Sequence, residues 1–364
     1  MKERLLLIAE DDESTIFTWQ EDLGEFNANP DRTVTFRAEI VKDKRSAIAL
    51  LERLHPDCAI VDLRLPSGDP NDGTGAATSL GNDILETLLL ESGIPAVVYS
   101  GYTQEASPLV LGSQIKIIGK RGGGTTEALL WLADHGDLME AMAATRLSIA
   151  RESAKLFNRF IWPRWESGWR GNGNQRLLTE VITRQIVSHL SEGLGAPPRF
   201  HHPEEFYFAP ALDPDHLGTG DMLNINGDVF VIVTPRCNMA KDTPRFLMLA
   251  ACQSMGQQWT EIGAKVTDAR KLESGLKELR RFATQAHATG THFLPPFGGL
   301  GPWLVDFKEI ETVASAQAPE LLKQRFASIC PSFVPNLIQR FSAYIGRIGQ
   351  PDLDVEVLRS FFGK

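Results

Sequence analysis

The sequence predicts an α/β chain in parts: a doubly wound domain on a five-stranded parallel sheet, a helical connector, then an α+β domain with a small antiparallel barrel-like sheet. Three observations lead there. Through residues 1–135, short continuous apolar runs alternate with amphipathic segments, the pattern of parallel strands covered on both faces by helices. Residues 136–170 are helical in pattern and end near RGNGNQ (170–175), a linker by composition. Residues 171–364 mix short strand-like runs with helices, two of the runs meeting at Asn226-Gly227, the dipeptide favoured in a type I′ hairpin turn. A length of 364 residues suits about two domains, each large enough to bury a core.

The elements follow in order. RLLLIA (4–9) is a strand that stops at Glu10-Asp11-Asp12-Glu13, after which Ser14 can cap a helix carrying Ile16, Trp19 and Leu23. TVTFRAEIV (33–41) is β-branched and reads as a strand, and SAIALLERLH (46–55) as a helix with Ala47, Leu50, Leu51 and Leu54 on one face. CAIVD (58–62) is a buried strand ending on a carboxylate. A polar, Gly-rich loop occupies 67–81, then NDILETLLLES (82–92) gives a helix, and PAVVYSG (95–101) and QIKIIGK (114–120) give two more strands. From Thr125 the chain is helical to about Trp165, with a break at His135-Gly136. LLTEVITRQIVSHLSEG supplies a further helix before the turn APP at 196–198.

In the second half, GDMLNINGDVFVIVTP (220–235) reads as a hairpin, and RFLMLAACQ (245–253), THFLPP (291–296) and WLVDF (303–307) as strands. AKVTDARKLESGLKELRRFATQA and PELLKQRFASI read as helices. PNLIQRFSAYIGRIGQPDLD (335–354) reads as an amphipathic helix with Ile338, Phe341, Ile345 and Ile348 on one stripe, ending at Gly349. Core packing is the first reading of that stripe and a homodimer face the second.

Composition narrows the class. The formal charge of −9 is unevenly spread: residues 1–135 hold 12 Lys+Arg against 22 Asp+Glu, and residues 136–364 hold 25 against 24. Nucleic-acid binding is therefore not expected of the chain as a whole, while the near-neutral second half leaves it open. Cys58, Cys237, Cys252 and Cys330 lack zinc or redox spacing and read as reduced thiols. No apolar run approaches the roughly 18 residues of a membrane span, and MKERLLLIAEDD is no signal peptide, so a cytoplasmic protein without membrane contact is expected.

In a doubly wound sheet the ligand site lies beyond the carboxyl ends of the strands. Glu10-Asp11, Asp62, Ser100 and Lys120 all fall at or just past such ends. A cap, a turn or a solvated corner would account for any one of them alone. Three carboxylates gathered at one rim repel unless a cation sits among them, and hard oxygen ligands with open water positions suit Mg²⁺. Such a rim prepares an aspartate for phosphoryl transfer, with a lysine and a hydroxyl to hold the transferred group.

The succession Glu10-Asp11, Asp62-Leu63-Arg64-Leu65-Pro66, Ser100-Gly101, Lys120 resembles the receiver domain of bacterial two-component response regulators, over roughly residues 3–135. The resemblance implies that Asp62 is the phosphoacceptor, with Glu10, Asp11, Asp62 and the backbone carbonyl of Arg64 as Mg²⁺ ligands. It also implies Ser100 as the switch hydroxyl, Lys120 as the phosphate partner, and a sensor histidine kinase or phosphotransfer protein as donor. Two departures stand out. Receivers usually carry an aromatic residue three positions before the lysine, where this chain has Ile117, leaving Tyr99 or Tyr102 as substitutes. The loop 67–81 is also longer than such domains use, either as a neutral insertion or as a lid that selects the kinase.

No helix-turn-helix, Walker, GGDEF-like, HEXXH or GxSxG pattern marks the second half. FNRFIWPRWESGWR (157–170) interleaves arginines with aromatics and reads as connector packing first and a docking surface second. His201-His202-Pro203-Glu204-Glu205 reads as surface polarity before a metal site. The hairpin with Thr234-Pro235-Arg236-Cys237-Asn238 faintly resembles SH3-like barrels of toxin endoribonucleases, without a complete catalytic set. The chain thus reads as a response regulator with a non-DNA-binding output domain. A receiver-controlled effector enzyme, or a phosphate sink that binds partners, are the alternatives.

Overall fold

The structure, a computed structural model, describes residues 2–69, 79–112, 115–121, 124–165, 175–191, 200–240, 245–347 and 352–362. It divides into two compact units, Met1–Pro197 and Pro198–Lys364.

The first unit runs β1 (Lys2–Ala9), α1 (Glu13–Ala28), β2 (Val34–Val41), α2 (Lys44–Leu54), β3 (Cys58–Val61), α3 (Gly81–Thr87), β4 (Ala96–Ser100), α4 (Pro108–Leu111), β5 (Lys116–Gly119), α5 (Thr125–Asp134), α6 (Gly136–Leu156), α7 (Trp162–Arg164) and α8 (Gln175–Ser191). Strand order is β2-β1-β3-β4-β5, with every pair parallel. The period-two alternation of a strand splits β1 between two cores. Leu6 and Ile8 join Trp19, Leu23, Phe26, Tyr99 and Leu129 on the α1/α5 face. Leu7 and Ala9 join Leu50, Leu51, Leu85, Leu88 and Val110 on the α2/α3/α4 face. Burial of each fully enclosed leucine contributes on the order of 2 kcal/mol.

Local chemistry sets the element ends. Asp12, not Ser14, caps α1: its carboxylate accepts the Thr15 N–H at 2.8 Å, which places the cap immediately after Glu10-Asp11. A π-helical turn, Leu88–Ser92, continues α3 and is closed by Gly93 at φ 59°. The helix expected over 125–165 does break at His135-Gly136, and α8 lies against α6, with His189 Nε2 3.3 Å from the Glu152 carboxylate.

The second unit runs β6 (Tyr207–Phe208), β7 (Asp221–Ile225), β8 (Asp228–Ile232), α9 (Arg236–Met239), β9 (Phe246–Ser254), α10 (Gly256–Thr267), α11 (Leu272–Ala283), β10 (Thr291–Leu294), β11 (Trp303–Ala314), α12 (Ala318–Lys323), β12 (Arg325–Ile329), α13 (Val334–Ile345) and α14 (Val355–Ser360). Its seven strands form one curled antiparallel sheet in the order β10-β11-β9-β8-β7-β12-β6. Asn226 (φ 55°) and Gly227 (φ 98°) turn the β7–β8 hairpin as expected.

Three expectations need correcting here. PELLKQRFASI is only half helix: α12 stops at Lys323 and RFASI becomes β12, because Ala327 and Ile329 face the core and pair beside β7. AKVTDARKLESGLKELRRFATQA is two helices, separated at residues 268–271. The apolar stripe of α13 is Val334, Leu337 and Phe341, while Ile345 is exposed and Ile348 and Gly349 lie outside the described residues. Loop residues 70–78, linker residues 166–174 and the APP turn also lie outside them.

Candidate phosphoryl-transfer site

The ends of β1, β3, β4 and β5 deliver polar groups to the same rim. The end of β1 supplies Glu10, which is 1% exposed, and the half-buried Asp11; β3 supplies Asp62 at 7%; β4 supplies Ser100 at 0%. Backbone bonds hold these ends in place: Asp62 N–H donates to the Ala9 carbonyl at 2.9 Å, and Lys120 N–H to the Ser100 carbonyl at 3.1 Å.

Lys120 draws the rim together. Its Nζ lies 2.6 Å from Asp62 Oδ2 and 2.9 and 2.7 Å from the two oxygens of Glu10. Burial alone would depress its ammonium, but the hydrogen bonds to Asp62 and Glu10 outweigh it and raise the pKa. Burial pushes the Glu10 carboxyl up to about 7 despite Lys120, and raises Asp11 as well. One oxygen from each of Glu10, Asp11 and Asp62 falls within 4.8 Å of the others. A single lysine does not balance three carboxylates, and the donor set is all hard oxygen, so the cluster fits a divalent cation.

Around Asp62, the Arg64 N–H donates to Asp62 Oδ1 at 3.2 Å, while the Arg64 side chain is engaged elsewhere. Its guanidinium stacks 3.4 Å from the Tyr102 ring centroid and forms a two-pronged pair with Glu105. Glu105 also receives Ser79 Oγ at 2.8 Å, and these bonds from Arg64 and Ser79 hold its carboxyl below the usual range. Ser100 Oγ accepts the Tyr102 N–H at 3.2 Å. Of the two tyrosines expected to replace the aromatic switch at Ile117, Tyr99 is fixed edge-on against Trp19 at 4.9 Å in the core. Tyr102 is 43% exposed and remains.

Three residues of this neighbourhood escaped the sequence reading. Gly81 opens α3 against the end of β3: a Cβ there would stand 2.0 Å from the Asp62 carbonyl oxygen and 2.6 Å from Leu63 Cα. Its N–H donates to the Leu63 carbonyl at 2.9 Å. Glu105 and Ser79 carry no motif, and only the spatial arrangement brings them to Arg64. A strand order of 2-1-3-4-5 with acidic groups at the carboxyl ends is the flavodoxin-like doubly wound arrangement that CheY also has.

The first unit is built like a receiver domain. A scan against protein-family models gave no match, and neither did a search of curated proteins. Solved structures do resemble the chain. A CheY-like receiver domain from Methylobacillus flagellatus shares 20% identity, covering 36% of this chain and 99% of its own, at a TM-score of 0.28. The signal receiver domain of a putative Luxo repressor protein from Vibrio parahaemolyticus shares 17% over 40% of this chain and 96% of its own, at 0.29. The Mn²⁺-bound form of the response regulator Rcp1 shares 19% over 36% and 91%, at 0.26. The fold of the first unit rests on its own strand order and parallel pairing, not on these scores.

The second unit's sequence candidates end elsewhere. His202 and Glu205 form the capping box of a 3₁₀ turn, Pro203–Phe206, with His202 Nδ1 accepting the Glu204 N–H and Glu205 accepting the His202 N–H. Thr234 is buried, its hydroxyl donated to by the Met248 N–H at 2.7 Å. Arg236 lines a cavity of about 700 Å³ with Asp213, His216 and Thr219, and Cys237 beside it is exposed. Among the described part of the 157–170 segment, Phe157, Phe160 and Trp162 are 45, 42 and 50% exposed. No helix among the described residues is long and apolar enough to cross a membrane.

Proposed function

We propose that the chain is a response regulator: a phosphoryl group is accepted on Asp62 from a histidine kinase or phosphotransfer protein, with Mg²⁺ held by Glu10, Asp11, Asp62 and the Arg64 carbonyl. The observation that carries this reading is Lys120 Nζ bridging Asp62 and Glu10 at the end of three parallel strands. That arrangement places a cation beside the Asp62 carboxylate, where the transferred group would arrive.

An Asp62 oxygen attacks phosphorus as the bond from phosphorus to the donor's imidazole nitrogen breaks, the electron pair leaving with that nitrogen. Lys120 moves from pairing the free carboxylate to pairing a phosphoryl oxygen, and Ser100 Oγ, released from the Tyr102 N–H, donates to another. Glu10, Asp11 and Asp62 would hold a divalent cation, which would supply charge neutralisation for the carboxylates and the incoming group. In this scheme residues 1–135 are the receiver, 136–170 the connector, and the remainder the output domain.

The test is incubation of the full chain with acetyl phosphate and Mg²⁺, read by intact mass and by acid–base lability. One acyl phosphate per chain is expected, absent in Asp62→Asn and without Mg²⁺. An adduct that persists in Asp62→Asn refutes the assignment.

A further inference from the structure

The second unit gathers positive charge and unused hydrogen-bonding nitrogens around the turn at residues 286–290, which joins α11 to β10. His292 on β10 is 1% exposed and its Nδ1 has no partner. Its Nε2 lies 3.5 Å from Gln285 Nε2, which donates at 2.8 Å to the Phe293 carbonyl. His287 stacks on Phe282 at 5.3 Å, and its ring nitrogens face backbone groups of Arg281 and Thr291 without a well-formed hydrogen bond to either. Arg340, from α13, ties itself to both ends of the turn by donating to the Ala288 carbonyl at 3.1 Å and the Thr291 carbonyl at 2.8 Å. Its Nε is buried and unpartnered.

Two more cations flank the turn. Lys308 Cε lies 3.8 Å from where a Cβ on Gly290 would stand, and the Arg281 charge acts on His287. Among the described residues Arg281, Lys308 and Arg340 form no ion pair, in a chain whose net charge is −9. The β10–β11 pairing sets Asp306 opposite Thr291, but its carboxylate is engaged by Gln253 Nε2 at 3.1 Å and by the Lys308 backbone N–H at 2.9 Å. Burial, then the Arg340 charge, lowers both imidazoles, His292 to about 3, so each is neutral at pH 7 and keeps one N–H to donate.

Uncompensated cations repel one another, and buried nitrogens without partners are costly. One ligand chemistry relieves both: a compact oxyanion that accepts several hydrogen bonds and carries more than one negative charge, as phosphate does. We propose that the α11–β10 turn is a phosphate-binding site, with Arg281, Lys308 and Arg340 supplying charge and His287 and His292 supplying ring donors. This site is independent of the chemistry at Asp62.

The test uses the full chain at pH 7 without divalent cation, titrated calorimetrically with inorganic phosphate or adenosine monophosphate against chloride at equal ionic strength. Long-range proton–nitrogen spectra report the histidine rings. Binding of one phosphate group per chain is expected, with the ring nitrogens of His287 and His292 shifting. The double variant Arg281→Gln/Lys308→Gln should bind about tenfold more weakly while unfolding at the same midpoint in chloride. Arg340→Gln also removes two bonds that fold the turn, so the double variant decides. Tighter binding of the nucleotide supports a phosphate ester as the ligand, and equal binding supports free phosphate. Binding no greater than chloride, histidine signals that do not move, or a double variant that binds as the parent does, overturns the site.

Discussion

Replacing Gly81 by alanine tests how Asp62, the proposed acceptor, is positioned. The added Cβ would stand 2.0 Å from the Asp62 carbonyl oxygen, 2.6 Å from Leu63 Cα and 2.9 Å from the Asp62 carbonyl carbon, where ordinary contact begins at 3.4 Å. All three atoms are backbone, so no side chain can swing aside, and α3 or the end of β3 must move by more than 1 Å. Overpacking of this kind costs about 1–3 kcal/mol. A displacement of about 1 Å at the acceptor costs on the order of 100-fold in a transfer that depends on alignment. Gly81→Ala is therefore expected to unfold earlier in urea and to accept phosphoryl from acetyl phosphate about 100-fold more slowly. Gly24→Ala is the control: nothing lies within 4 Å of its Cβ, so it should stabilise α1 by up to about 1 kcal/mol and leave the rate alone. Phosphorylation of Gly81→Ala within about twofold of the parent rate would refute the idea that this close approach sets Asp62.

The other predictions concern separate parts of the chain. Glu105→Gln removes the charged half of the Arg64 pair and weakens the Ser79 bond, so hydrogen exchange at Tyr102 and Ser107 should accelerate while the strands stay protected. Asp11→Asn should weaken Mn²⁺ binding to the full chain, followed by its paramagnetic broadening of nearby resonances, because one of three clustered carboxylates is lost. Arg325→Ala breaks a buried pair with Asp221 at 3.0 Å and frees two loop carbonyls, at Asp213 and His216, that Arg325 holds, a loss of about 3–5 kcal/mol in the second unit's urea unfolding. His292 is held neutral, with its pKa lowered from 6.5 to about 3. Its contribution to stability is complete above pH 6.5 and is lost as pH falls from there through 3, by about 5 kcal/mol in all. His292→Gln should flatten that acid slope, and an unchanged slope would count against it.

The parallel sheet and the rim were legible because both are written locally: each apolar run ends on the group it delivers, and period-two burial follows directly from residues such as Leu6 to Ala9. The β7–β8 hairpin was legible for the same reason, since Asn226-Gly227 fixes its own turn. What escaped depends on partners far away in sequence. RFASI has helix-compatible residues, and only the offer of β7 and β6 as neighbours makes it a strand. The polar continuation KEIETVA of β11 lacks an apolar signal and is held by β9 after a register shift between Asp306 and Ile310. Gly81 looks like any loop glycine until the Asp62 carbonyl is seen against it. The Arg64–Glu105 pair joins residues 41 apart, a spacing no pattern encodes.

The pairing at Arg64 bears on the missing aromatic at Ile117. Under the proposed function, phosphorylation of Asp62 would have to become a change that a neighbour can sense. Ser100 Oγ has one hydrogen-bonding task here, accepting the Tyr102 N–H, and donation to a phosphoryl oxygen competes with the geometry of that bond. Tyr102 cannot respond alone, because its ring lies against the Arg64 guanidinium and Arg64 is paired to Glu105. Glu105 in turn holds Ser79, and its carbonyl accepts Asn82 Nδ2 at 2.9 Å while Asn82 Oδ1 accepts the Ser107 N–H at 2.9 Å. The segment after β4 and the entry to α3 are thus bonded into one piece, anchored two residues from the acceptor. Under the proposed function, a change at Ser100 would reach the exit of the long loop through Tyr102, Arg64, Glu105 and Ser79 without any ring crossing the sheet, the route that an aromatic residue at Ile117 would otherwise provide.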